Sequence, residues 1–215
     1  MKIETNAPDK NYLFTPDYVP IKIPFQEMPD SYVSDAITEK EIETWKGDTT
    51  RPVFISAQTG SGKNYFVTHN LREYAKKNGE RILYISNRVA LDYQQKKELA
   101  ALTKTKLRLG SGEDSIERVE EFSNVTVVTY HKLLHFFSQK PDWFSSFRYV
   151  VIDECHFFYS DSLFNPYTEY LLDKIVKKFR HCVRIYMSAT FDDVLDPICY
   201  YESSFHVAIC GRNRS

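Results

Sequence analysis

At 215 residues and a formal net charge of −1, the chain fits one large domain, or one domain with an appendage, and carries no global basic field to attract a polyanion. A hydrophobic content of 42% with 15% aromatic residues excludes a disordered chain. The apolar runs reach about half a dozen residues, against the roughly 20 a spanning helix needs, so the chain is expected to be soluble, with no membrane partner.

Residues 1 to 35 hold five of the nine prolines and no clear periodicity, which predicts an irregular arm packed through Tyr12, Phe14, Tyr18 and Phe25. Ser34 to Trp45 reads as a short helix, with Ser34 or Thr38 available as its cap. Lys46-Gly47-Asp48 ends it. The predicted boundary therefore falls near residue 50: an N-terminal arm and short helix over 1–50, and the main domain over 51–215.

From Val53 the pattern alternates. Continuous apolar runs stand at Val53–Ser56, Ile82–Ser86, Val125–Thr129, Tyr149–Ile152, Val183–Met187 and His206–Cys210. Helical patterns lie between them at Lys63–Lys77, Val89–Leu102, His131–Phe137 and Tyr167–Phe179. Strands that are apolar on every residue are buried on both faces. Separated by helices, they predict an α/β fold with a doubly wound, mainly parallel sheet and helices on both faces. In such a sheet, ligands sit beyond the carboxyl ends of the strands.

The sequence puts its chemistry there. Ala57-Gln58-Thr59-Gly60-Ser61-Gly62-Lys63 follows one apolar run and opens a helix, the setting of a phosphate-binding loop. Gly60 and Gly62 let the backbone curl its N–H groups inward, the helix adds its positive end, and Lys63 adds a charge for the outer phosphates. Asp153-Glu154-Cys155-His156 follows another apolar run. Asp153 suits holding Mg²⁺, directly or through its water shell, and Glu154 is placed to orient or deprotonate an attacking water. Together the two segments predict a nucleoside triphosphate.

Cys155 reads as a small buried spacer. The four cysteines, Cys155, Cys182, Cys199 and Cys210, show neither CxxC pairing nor metal-ligand spacing. With the polar Met1–Lys10 start they predict reduced thiols in a cytoplasmic protein.

The whole set resembles the first RecA-like domain of superfamily 2 helicases, the DEAD/DEAH-box and related group of P-loop NTPases, over about residues 50 to 195. Ala57–Lys63 looks like motif I, Asp153-Glu154-Cys155-His156 like motif II in its DECH form, and Ser188-Ala189-Thr190 like motif III. Ser86-Asn87-Arg88, with Leu91 and Gln94, is similar to motif Ia, and Val128-Thr129-Tyr130 stands in the place of motif Ib.

The resemblance implies an ATP-driven nucleic-acid motor using ATP and Mg²⁺. Thr59, Gly60, Ser61, Gly62, Lys63 and Asn64 would bind the nucleotide, with Lys63 on the β- and γ-phosphates. Asp153 and Asn64 would hold the metal, and Glu154, Lys63 and Asp153 would carry catalysis. His156, Ser188 and Thr190 would couple nucleotide state to movement. Arg88 and Thr129 would touch the DNA or RNA backbone; the structural readings of the same two are a helix-start neutraliser and a strand-end hydroxyl.

Asn64 departs from the pattern, which has Ser or Thr there; an amide oxygen also ligates a hard cation, at a different length and angle. A motor of this kind also needs a second RecA-like lobe, and the residues after Thr190 encode none, so little turnover is expected of these residues alone. The alternative reading is a non-catalytic nucleotide-binding interaction module with a degenerate loop. A small-molecule kinase is disfavoured, since it would not call for a DECH segment.

Overall fold

Strand pairing accounts for every one of the six apolar runs. The computed structural model describes residues 25–28, 32–86, 89–107, 119–139, 142–160, 167–189, 198, 202 and 208–211. Among these, eight strands form one sheet: β1 (Phe25–Met28), β2 (Val53–Ser56), β3 (Ile82–Ser86), β4 (Glu121–Phe122), β5 (Val125–Thr129), β6 (Tyr149–Ile152), β7 (Val183–Ser188) and β8 (Ala208–Gly211). Their order is β1-β8-β2-β7-β6-β3-β5-β4. Every pairing is parallel except that of β4 with β5.

The helices are α1 (Val33–Ala36), α2 (Glu39–Gly47), α3 (Lys63–Tyr65), α4 (Arg72–Lys77), α5 (Val89–Thr103), α6 (Tyr130–Gln139), α7 (Phe157–Ser160) and α8 (Tyr167–Lys178). Side-chain alternation along the strands splits the core in two. Val53, Ile55, Tyr84, Val127, Val151 and Ile185 face one side and pack with residues of α2, α4 and α5, including Trp45, Ala75 and Leu99. Phe54, Leu83, Ile85, Val150, Ile152 and Tyr186 face the other and pack with α6, α7 and α8 through Leu133, Phe158 and Ile175. Burial on both faces is why these strands read as continuous apolar runs.

Three local readings need correction. Residues 25–28 are not irregular: β1 pairs in parallel with β8 at the sheet edge. Its Gln26-Glu27 centre gives no apolar run, and the partner strand lies far off in sequence, so nothing local marks it. The helix expected over Ser34–Trp45 is two helices, because Ile37 is extended (φ −95°, ψ 114°) and Thr38 starts α2 afresh. The Thr38 backbone N–H donates to the Glu41 carboxylate at 2.6 Å, as a capping box requires. Finally, the helix expected from Lys63 to Lys77 is continuous but π-helical over Phe66–Leu71. There the Thr68 hydroxyl lies 2.9 Å from both the Asn64 carbonyl, one turn back, and Glu98 Oε1.

Residues before Val53 share the sheet's core: Ile42 and Trp45 of α2 are each 1% exposed, and Trp45 meets Phe66 edge-on at 6.4 Å. Among the described residues, no helix is long and apolar enough to cross a membrane.

Candidate nucleotide site

Four adjacent strands of the sheet, β2-β7-β6-β3, bring the predicted segments to one rim. Backbone hydrogen bonds continue the ladder past the strand ends. The Ala57 N–H donates to the Ser188 carbonyl (3.0 Å), Cys155 N–H to Met187 (2.9 Å) and Asp153 N–H to Ile85 (2.9 Å). The start of the glycine loop, the DECH segment and the end of β7 are therefore mechanically joined, with β7 in the middle.

The loop takes its shape from its glycines. Gly60 and Gly62 have φ of +83° and +84°, a region that strains any side chain. At Gly62 a Cβ would also stand 3.4 Å from Tyr32. The Ser61 N–H closes a turn onto the Gln58 carbonyl (3.2 Å), while its own carbonyl accepts from Val33 (2.9 Å), tying the loop to α1. The Ser61 Oγ is buried and has no partner among the described residues. Thr59 and Gly60 are exposed, and Asn64 is half-buried.

Lys63 is 8% exposed, and its Nζ donates to the carbonyls of Ala57 and Gln58, the latter at 3.0 Å. Burial pulls its pKa down, and the negative charges of Glu154 and Asp153 oppose that pull. The ammonium and both carboxylates thus occupy one electrostatic neighbourhood.

Asp153 is 2% exposed. Its Oδ1 accepts from the Glu154 N–H (3.0 Å), and its Oδ2 accepts from the Tyr84 hydroxyl (2.5 Å) and Gln95 Nε2 (3.2 Å). Its own carbonyl accepts from the Tyr130 hydroxyl (3.0 Å). Burial raises the Asp153 pKa; the Tyr84 hydrogen bond pulls against it, the Glu154 charge adds to the rise, and the Gln95 and backbone bonds lower it. Tyr84 and Tyr130 are themselves pushed well above the usual phenol value, chiefly by burial, so both remain donors.

Glu154 has φ of +51°, a left-handed conformation that costs a non-glycine residue about 1–2 kcal/mol. Its Oε2 lies 3.1 Å from His156 Nδ1. Ser188 is fully buried. Thr129 ends β5, and its hydroxyl accepts from the Lys132 N–H at 3.4 Å, at the start of α6. Arg88 and Thr190 lie outside the described residues.

Sequence reasoning missed Tyr84 and Gln95. Helical spacing was the available signal for Gln95: it stands one turn before the buried Leu99, whereas Gln94, named with motif Ia, points outward. Tyr84 carried no signal, since a buried tyrosine in an apolar run reads as core.

Cys155 is fully buried, and burial followed by the Asp153 and Glu154 charges pushes its thiol well above the usual range. Cys182 is pushed up to about 12, mainly by burial. Neither is in a disulfide. Iodoacetamide at pH 8 is expected to leave both unmodified in the folded protein and to label both in guanidinium, read by peptide mass. Rapid native labelling of Cys155 would contradict its role as an inert spacer.

These features define a class, a RecA-like α/β lobe with a glycine loop and an acidic segment side by side at the carboxyl rim. The fold is similar to that of a hypothetical ATP-dependent RNA helicase from Sulfolobus tokodaii (TM-score 0.53, 20% identity, covering 77% of this chain and 52% of that one). It is also similar to the Hef helicase domain of Pyrococcus furiosus (TM-score 0.54, 14% identity, 85% and 40% covered). Residues 35–198 match the family model described as DEAD/DEAH box helicase, and the chain belongs to that family, as an ATP-binding lobe of superfamily 2 type. It is 31% identical over 134 residues to the ATP-dependent DNA helicase Hel308 of Pyrobaculum calidifontis, covering 61% of this chain and 18% of that protein.

Proposed function

We propose that this lobe binds ATP with Mg²⁺ through the loop Thr59–Asn64 and hydrolyses it to drive movement along DNA or RNA when a second RecA-like lobe completes the cleft. The single observation that carries the reading is the joined rim: the Ala57–Ser188 and Cys155–Met187 hydrogen bonds couple the loop, the acidic segment and β7.

In this reading the Lys63 Nζ exchanges the Ala57 and Gln58 carbonyls for β- and γ-phosphate oxygens, and the Ser61 hydroxyl supplies a further donor. The residues present suit Mg²⁺. That ion takes one or two carboxylates plus phosphates and water rather than an all-protein cage, and no cluster of three His, Cys, Asp or Glu side chains able to hold a metal occurs among the described residues. The Asp153 Oδ2 has both lone pairs engaged, so a spare lone pair on Asp153 Oδ1 and one on Asn64 Oδ1, which also lies 3.1 Å from the Tyr84 hydroxyl, are left for the ion or its water. Bound there, Mg²⁺ supplies charge neutralisation of the phosphates.

Glu154 is the base that orients and deprotonates the attacking water, with His156 beside it to relay nucleotide state, together with Ser188 and Thr190. Arg88 and Thr129 are assigned to the nucleic-acid backbone. The DNA-acting description of Hel308 and the RNA-acting description of the Sulfolobus protein leave both polymers as substrates to be tested.

The test is nucleotide binding and ATPase activity, with and without single-stranded DNA or RNA and an added second lobe. The chain alone should bind ATP with little turnover. A cleft-completing arginine should raise the rate by about 10³- to 10⁵-fold. Glu154→Gln should keep binding and lose that turnover. Absence of Mg²⁺-dependent nucleotide binding by the parent chain would overturn the reading.

A further inference from the structure

The Tyr84 hydroxyl meets three polar side chains at the rim. It lies 2.5 Å from Asp153 Oδ2, 2.6 Å from Gln95 Nε2 and 3.1 Å from Asn64 Oδ1. Tyr84 is 1% exposed, Gln95 2% and Asp153 2%, while Asn64 is half-buried at the edge of the group.

A phenol has one proton and an oxygen that accepts two hydrogen bonds. The proton belongs to the shortest, charge-assisted contact, the one to the Asp153 carboxylate. Gln95 also reaches Asp153 Oδ2, at 3.2 Å, so it too must face both atoms with its NH₂ group. The remaining acceptor position on the phenol can then be filled by Asn64 only if Asn64 donates. Amide nitrogen and oxygen have the same shape, and the hydrogen-bond network decides between them. The structure turns Asn64 Oδ1 toward Tyr84, which sets acceptor against acceptor once the phenol proton lies on Asp153; the network favours the reversed amide, with its NH₂ donating to Tyr84 and its oxygen facing away, available to a cation.

We infer that Tyr84, braced by Gln95, is a positioning residue that fixes the amide of Asn64 and the carboxylate of Asp153 in complementary orientations and so sets the Mg²⁺ affinity of the nucleotide site. The inference rests on the nucleotide-binding reading above and assigns a task to residues outside the loop and acidic motifs. It also accounts for how an asparagine serves where a hydroxyl is expected: the amide needs a partner to choose which end it presents, and the phenol is that partner. Outer residues that orient metal-facing groups are typically worth 10- to 100-fold in metal affinity.

The experiment is Mg²⁺ titration of fluorescent ATP-analogue binding to the full chain, with a parallel titration in EDTA. Tyr84→Phe keeps the ring and removes the hydroxyl. It should raise the Mg²⁺ concentration for half-maximal effect about 10- to 100-fold, while metal-free affinity changes less than about twofold. A merely packing role would shift both titrations together. Gln95→Met, which removes the donor that braces the phenol, should move the Mg²⁺ titration in the same direction and serves if Tyr84→Phe does not fold.

An unchanged Mg²⁺ half-point in a folded variant, with the parent binding normally, overturns the positioning role alone. So does an equal loss with and without metal. No binding by the parent overturns the nucleotide reading and this inference with it.

Discussion

Lys63→Met should weaken ATP binding by about 3 kcal/mol, on the order of a hundredfold in Kd, while leaving the chain folded. The size follows from what the ammonium does. Hydrogen bonds to charged groups contribute about 1.5–3 kcal/mol each, and two phosphates would engage this one Nζ. Removing it also leaves Asp153 and Glu154 facing the phosphates without the cation whose charge they feel in the free protein. Methionine keeps the length and apolar stem of the buried lysine and forfeits its bonds to the Ala57 and Gln58 carbonyls. Titration with a fluorescent ATP analogue reads the effect, with thermal unfolding as the control. A Kd within threefold of the parent would remove the loop from the nucleotide site.

Arg184→Met should cost about 3–5 kcal/mol of stability, the usual penalty for orphaning a buried charge. Arg184 is 1% exposed and Glu202 3%. Nε and Nη2 grip the two Glu202 oxygens at 2.6 and 2.8 Å, and the Tyr186 hydroxyl adds a third bond at 2.9 Å. Nη1 donates to the carbonyls of Thr49 (3.0 Å), Phe179 (3.2 Å) and Cys182 (3.2 Å). One guanidinium therefore fastens β7 to the segment before β2, to the end of α8 and to the chain near residue 202.

The single change strands the carboxylate and several carbonyls in a dry site. Pairing it with Glu202→Leu should recover much of the loss, because a matched apolar pair carries no uncompensated charge. Urea unfolding of the single and double variants measures both. A single variant that loses less than about 1 kcal/mol, or a double variant worse than either single, would show that the pair does not act as a buried unit.

The sheet and the position of the candidate site were legible for a physical reason. A parallel strand buried on both faces has to be apolar at every position, so Val53–Ser56, Tyr149–Ile152 and Val183–Met187 announced themselves without alignment. A loop that wraps an anion needs glycines at positive φ, and Gly60 and Gly62 have it. The polar residues at the ends of those strands then had one rim to share.

Features set by partners distant in sequence were not legible. β1 is a strand because β8 pairs with it, and neither its composition nor its neighbours say so. Trp45 joins the core of the later domain, although its surroundings read as an appendage. Tyr84 and Gln95 look like one more strand aromatic and one more helix amide.

The chain's own order of residues determined the α/β alternation, the glycine loop and the acidic segment, because backbone burial and phosphate binding impose local patterns on sequence. Only the tertiary structure decided that the Tyr84 phenol meets Asp153 and Asn64, and that Arg184 meets Glu202. Hydrogen bonds between buried side chains from separate elements carry no periodicity, so their partners are fixed by how the elements pack and not by any spacing along the chain.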